Sequence, residues 1–122
     1  MDHSPGFLKL VADAKKHVNE ISVAEACGKL AANPKVVLID VREDHEWAAG
    51  HAVGAAHLGK GILERDLEKL YPDANTEIIM YCGGGFRSAL TCDAALKLGY
   101  KKVHSLIGGY KGMSAASWPM TK

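Results

Sequence analysis

Two short apolar runs constrain this chain more than anything else in it. Val36-Val37-Leu38-Ile39 is unbroken by polar residues and closes on Asp40, and Ile78-Ile79-Met80-Tyr81 follows Glu77 and closes on Cys82. Neither run alternates, so neither suits a strand with one wet face. Both suit strands buried on two faces, as in a parallel sheet. Val103 to Leu106 is a third candidate strand. Helical patterns separate them over Glu43–Ala49, Leu63–Leu70 and Ser88–Leu98. Strand and helix alternate, which predicts an α/β fold with a central parallel sheet covered on both sides. Right-handed crossovers bring the strand C-termini to one edge, where ligands bind in open α/β sheets.

The preceding segment is helical by spacing. Phe7, Leu10, Val11, Ala14, Val18 and Ile21 fall on one side and Lys15, Lys16, Asn19 and Glu20 on the other, and Ser4-Pro5 opens the pattern. Residues 1–20 are therefore predicted to form an N-terminal amphipathic helix packed on a domain spanning residues 21–122. Ser22-Val23-Ala24-Glu25 has capping-box spacing and predicts a second helix to about Ala32, with Cys27 as a small buried thiol beside Val23 and Leu30.

Composition narrows the class. The 122 residues are 48% hydrophobic and 24% charged, with a formal net charge of +1. That is enough apolar material for one core. The near-neutral balance argues against nucleic acid or an anionic membrane as the main partner. No apolar run approaches the ~20 residues that cross a bilayer. The first residues lack the basic start and apolar stretch of a signal peptide, so a cytoplasmic protein is expected. Cys27, Cys82 and Cys92 are odd in number and have no close zinc-type pairing, which argues against a disulfide framework or a structural metal. His45, His51 and His57 are spaced by six, not by the four that places two ligands on one helical face, so no metal site is expected.

The chemistry is concentrated after the second run. Cys82 is followed by Gly83-Gly84-Gly85-Phe86-Arg87-Ser88 and then a helix. Three glycines at a strand exit let the backbone turn tightly and gather N–H groups into an anion-binding nest. The helix terminus adds roughly 0.3–2 kcal/mol of stabilisation for an anion at its start, and Arg87 adds a permanent positive charge. A sulfur at the centre of such a bowl is held as thiolate, which is the nucleophilic form. A plain glycine turn beside an inert thiol is the bland alternative, but three glycines cost backbone entropy that a simple connection does not need. A nucleotide-phosphate loop is a weaker alternative still, because the lysine–Ser/Thr pair it requires is absent. Cys92 lies within the following helix on a stripe with Ala89, Ala95 and Leu96. It reads as core, with a resolving thiol as the lesser alternative.

Three blocks in order resemble the single-domain rhodaneses, a family of sulfurtransferases. The first is Leu38-Ile39-Asp40-Val41-Arg42-Glu43, continuing through Glu46-Trp47 to Gly50-His51-Ala52-Val53-Gly54-Ala55. The second is Tyr81 to Ala89. The third is Leu98-Gly99-Tyr100, Val103 and Leu106-Ile107-Gly108-Gly109-Tyr110. The resemblance implies a five-stranded, mostly parallel sheet flanked by helices. It implies Cys82 as the sulfur-carrying nucleophile and Gly83, Gly84, Gly85, Phe86 and Arg87 as the substrate-binding loop. No cofactor is implied. The donor would be a small sulfur-containing anion such as thiosulfate, and the acceptor cyanide, glutathione or a protein thiol. Related Cdc25-like phosphatases and arsenate reductases carry a loop one residue longer, so the six residues from Cys82 to Arg87 fall on the sulfurtransferase side. A persulfide carrier or docking module in a sulfur relay is the remaining alternative.

Asp40 and Arg42 are expected to support the loop, Asp40 as a brace and Arg42 by pairing with Glu46 or Asp40. Trp47 is expected to pack its short helix onto the body, and His51 to fix the turn after it. Two departures stand out. Met113 occupies the neighbourhood where the family often has a Trp, with Trp118 further on. The loop also carries no lysine, which points to weak thiosulfate binding or to another donor.

Overall fold

The computed structural model describes residues 3–122. Its elements, in chain order, are α1 (Pro5–Lys15), β1 (Asn19–Ile21), α2 (Val23–Ala32), β2 (Val37–Asp40), α3 (Asp44–Ala49), β3 (His51–Ala52), β4 (Ala56–His57), α4 (Lys60–Leu70), β5 (Ile78–Tyr81), α5 (Phe86–Lys97), β6 (Val103–Leu106), α6 (Gly109–Ala115) and β7 (Met120–Thr121). Five strands form one parallel sheet in the order β1-β6-β5-β2-β4. The two apolar runs, β2 and β5, are neighbours at its centre, with Asp40 opposite Tyr81.

Strand periodicity divides the core in two. Ile39, Val41, Ile78, Met80 and Cys82 point to one face, where they meet Leu63 and Leu67 of α4 and Cys92 and Ala95 of α5. Leu38, Ile79 and Tyr81 point to the other, where they meet Ala26 of α2 and Met113 of α6. The parity of the sheet therefore sends Cys82 toward α5 and Asp40, two residues on from Leu38, toward α6. Met113 is fully buried among Tyr81 and Leu106, with Trp118 packed partly buried beside them, so the missing Trp leaves no gap.

The N-terminal region differs from the sequence reading. The helix stops at Lys15 rather than continuing to residue 20, because Asn19–Ile21 pairs with β6 through Asn19↔His104 and Ile21↔Leu106. Val18 and Ile21 continue the helical spacing, yet both are buried against the sheet. Ser4 occupies the N-cap position of α1 without a side-chain hydrogen bond, and Pro5 opens the first turn. The helix lies along α5 through Val11 and Ala14. The capping box of α2 forms as expected, with Ser22 Oγ accepting from Glu25 N–H at 3.1 Å and Glu25 Oε1 accepting from Ser22 N–H at 3.0 Å. Cys27, however, is exposed rather than buried. Ala26 is the fully buried residue of that helix, so the face toward the sheet is rotated away from Cys27. The helix after the glycine loop begins at Phe86, two residues earlier than predicted. Gly99 follows its end in the left-handed region at φ +108°, as a helix-terminating glycine does. No helix among the described residues is long and apolar enough to cross a membrane.

Candidate active site

Cys82 is the first residue after β5, and its side chain is turned by strand parity onto the first turn of α5. The residue is 1% exposed. Gly85 N–H donates to Sγ at 3.1 Å and Ser88 N–H at 3.3 Å. The thiol donates to Ser88 Oγ at 3.6 Å, and Ser88 Oγ shares a 2.8 Å hydrogen bond with Ser105 Oγ on β6. Gly85 is the N-cap of α5, held at φ +97°, where a side chain would crowd the Leu106 carbonyl. That left-handed residue lets the chain double back, so that the helix terminus faces the strand exit. The N–H groups of Gly83, Gly84, Phe86 and Arg87 have no hydrogen-bond acceptor among the described residues. They are the free donors of a nest and a helix start.

The β6 exit completes the loop's support. Gly108 (φ +79°) and Gly109 (φ +52°) open α6. Tyr110 N–H donates to the Cys82 carbonyl at 2.7 Å and Lys111 N–H to the Gly83 carbonyl at 3.1 Å. A Cβ on Gly109 would collide with the Cys82 carbonyl oxygen and stand 2.9 Å from the Gly83 carbonyl carbon. Only glycine lets the two loops approach this closely.

Above the sulfur opens a cleft of about 760 Å³. Cys82, Gly83, Gly84, Phe86 and Arg87 form its floor; Glu43, His45 and Glu46 come from the β2 side, Lys111 from α6, and His3, Ser4 and Phe7 from the N-terminus. Gly85 acts from behind, through its N–H on the sulfur. Arg87 does not present a free charge. Its guanidinium donates to both Glu46 oxygens, at 2.6 and 3.1 Å. This pairing holds the Glu46 carboxyl at about 2, well below its ordinary 4.5. Glu46 Oε1 also accepts from Glu43 N–H at 3.0 Å, which ties the start of α3 to the loop.

The remaining residues singled out in the sequence lie elsewhere. Asp40 and Arg42 do not line the cleft. They form a buried pair on the opposite face, with Arg42 donating to both Asp40 oxygens and, at 2.6 Å, to the Gly50 carbonyl. The Arg42 guanidinium lies 4.1 Å from the Tyr110 ring centroid, so it steadies the start of α6. Arg42 thus pairs with Asp40, and Glu46 is taken by Arg87. Trp47 stacks between the rings of His51 and His57, at 3.3 and 4.8 Å. His51 Nδ1 contacts the Trp47 carbonyl at 2.9 Å and His57 Nε2 the Arg42 carbonyl at 2.9 Å. Both imidazoles are engaged in holding this turn. Cys92 is fully buried behind Cys82, and burial pushes its thiol far above its ordinary range, which makes it a poor nucleophile. Sequence reasoning missed Lys111, His3 and Phe7. Lys111 was within reach, since it follows the third strand exit at the same edge.

Comparison with known proteins identifies the family of the chain. The Rhodanese-like domain family matches residues 23–116. A putative sulfurtransferase of Bacillus subtilis, YtwF, is 36% identical over 87 residues, covering 71% of this chain and 82% of the relative. The thiosulfate sulfurtransferase GlpE of Tolumonas auensis is 30% identical over 92 residues, covering 75% and 84%. The chain spans 31% of the longer tRNA uridine(34) hydroxylases of Chlamydia that it matches at 32% identity. A solved structure from Rhodopseudomonas palustris, a protein of unknown function described as a possible tyrosine phosphatase, superposes with a TM-score of 0.85 at 24% identity, over 99% of this chain and 98% of its own. At that identity the likeness speaks to the fold, N-terminal helix included. With three quarters of its length matched by the family, this chain is a member of the rhodanese-like domain family.

Proposed function

We propose that the protein is a sulfurtransferase that carries a sulfane sulfur on Cys82. The supporting observation is the sulfur's position: the Gly85 and Ser88 N–H groups already donate to it, and four further N–H groups of the same loop have no acceptor among the described residues. In the first half-reaction the Cys82 thiolate attacks the outer sulfur of a sulfane donor. With thiosulfate, the sulfur–sulfur bond breaks and sulfite leaves with its electron pair. Cys82 is left as a persulfide, whose negative charge the free N–H groups stabilise by donating hydrogen bonds to it. In the second half-reaction a nucleophile, cyanide or a thiolate, attacks the outer sulfur, and Cys82 departs again as thiolate. This is covalent, two-stage catalysis with donors fixed in advance by α5 and α6.

The loop length supports this reading over phosphate ester hydrolysis, since six residues from Cys82 to Arg87 enclose one added sulfur more closely than a tetrahedral oxyanion. Lys111 supplies the cation that the loop itself lacks, and Arg87, neutralised by Glu46, lines the cleft. The test is thiocyanate formation from thiosulfate and cyanide. Cys82→Ser is expected to lower the rate by at least about 10³-fold, because the hydroxyl is not ionised at neutral pH. A serine variant that retains the wild-type rate removes Cys82 from the reaction.

A further inference from the structure

The cleft is larger than a small inorganic donor needs. Its roughly 760 Å³ falls in the range of about 300–1,000 Å³ typical of sites that enclose drug-sized organic molecules. One wall is aromatic and is built by the N-terminus. The His3 ring meets Phe86 edge-on at 4.6 Å and Phe7 at 5.3 Å, and Phe7 lies 6.4 Å from Phe86. Lys15 Nζ lies over the Phe86 ring, 5.4 Å from its centroid. Phe86 belongs to the sulfur-binding loop, so α1 reaches across more than seventy residues of sequence to pack on the catalytic loop itself. Of the charged residues that line the cleft, Arg87 and Glu46 pair with each other, whereas Lys111 on one side and Glu43 on the other have no ion-pair partner among the described residues, which leaves the Lys111 ammonium available to an acid.

We propose that this wall selects the acceptor: an organic thiol with a flat apolar body and an acidic group, its ring against Phe7 and Phe86, its acid toward Lys111 and its sulfur over Cys82. The proposal rests on the sulfur-transfer reading and adds a substrate class to it. The step is the second half-reaction: the acceptor thiolate attacks the outer sulfur of the Cys82 persulfide, the sulfur–sulfur bond breaks, Cys82 leaves as thiolate, and the product is the acceptor's persulfide. No oxidant or reductant is consumed.

Two alkyl thiols, each rate divided by that thiol's uncatalysed rate with a small persulfide at the same pH, separate the wall from the chemistry. These are 4-(mercaptomethyl)benzoate, which has the ring and the acid, and 3-mercaptopropionate, which has the acid alone. Discharge of pre-loaded protein is followed with each. Wild type is expected to favour the ring thiol in kcat/KM by about tenfold or more, the scale of an aromatic contact with its burial. Phe7→Ala is expected to reduce that preference about tenfold, chiefly through KM. Phe7→Leu keeps the apolar packing of α1 and is expected to give an intermediate ratio, which guards against a misfolded alanine variant. Lys111→Gln is expected to remove the preference for the ring acid over its uncharged amide. A wild-type ratio near one, or a ratio unchanged in both Phe7 variants while circular dichroism shows α1 intact, overturns the proposal. Protein that never loads sulfur overturns the sulfur-transfer reading instead, so the two failures are distinct.

Discussion

β2 and β5 lie side by side, in register and parallel, and both end at the same edge of the sheet. Their exits are opposite in character. At the last residue of β2, Asp40 is fully buried and satisfied: Arg42 donates to both of its oxygens, and the Gly50 carbonyl takes a further guanidinium N–H. Beyond β5, Gly85 and Ser88 N–H donate to one sulfur, and the N–H groups of Gly83, Gly84, Phe86 and Arg87 have no acceptor among the described residues. One exit commits its polar groups to its own neighbours, and the other keeps them available. The difference follows from residue type. An acid that meets an arginine in the interior closes on it, whereas glycines supply donors and no side chain to fill them. Strand parity does the rest, placing Asp40 with α6 and Cys82 with α5.

The sealed exit should break most severely. Asp40→Asn leaves Arg42 buried at 4% exposure without its counter-charge. A loss of about 3–5 kcal/mol is expected in denaturant unfolding. Stability within about 1 kcal/mol of wild type would show that this end is not sealed at all, and the contrast between the two exits would fail. The open exit depends on a glycine from elsewhere. Gly109→Ala forces a Cβ into the Cys82 carbonyl and into a left-handed backbone, for a loss of about 1–3 kcal/mol. It is also expected to slow sulfur loading, because the α6 donors that hold the Cys82 and Gly83 carbonyls must shift. Normal loading kinetics in this variant would detach the loop's shape from α6.

The smallest effect concerns the latch between the two exits, Glu46 on Arg87. The folded protein holds the Glu46 carboxyl at about 2, against 4.5 ordinarily. Its contribution is thus complete above pH 4.5 and lost progressively as pH falls toward 2. Both side chains are partly exposed, so Glu46→Gln is expected to cost only about 0.5–1 kcal/mol at neutral pH. It should also flatten the decline in stability between pH 4.5 and 2. An unchanged acid limb would mean that other carboxylates carry it.

The same contrast marks how much a sequence discloses. β2, β5 and β6 were legible because unbroken apolar runs have few homes other than a doubly covered sheet. The loop after Cys82 was legible because its chemistry is contiguous. β1 was not, since Val18 and Ile21 continue the spacing of α1, and only pairing with β6 overrides that pattern. β4, at two residues, and the short antiparallel pair of β3 with β7 are too brief to leave a periodicity. Cys27 was misplaced because α2 buries so narrow a stripe that a rotation of one position decides the matter. The return of His3 and Phe7 to Phe86 is a product of tertiary packing, which no local pattern encodes.

The central claim is that the open exit, and no other thiol, accepts sulfur. Intact-mass and peptide analysis after exposure to thiosulfate or a persulfide donor tests it most directly, because the three cysteines differ so sharply in setting. Cys82 sits among donors at the cleft floor, Cys92 is sealed behind it, and Cys27 is exposed on α2 with no nest around it. The expected result is a gain of one sulfur atom, mapped to Cys82, discharged by cyanide or thiol, and absent in Cys82→Ser. Sulfur recovered on Cys27, or a Cys82 that stays unmodified with every donor, would contradict it.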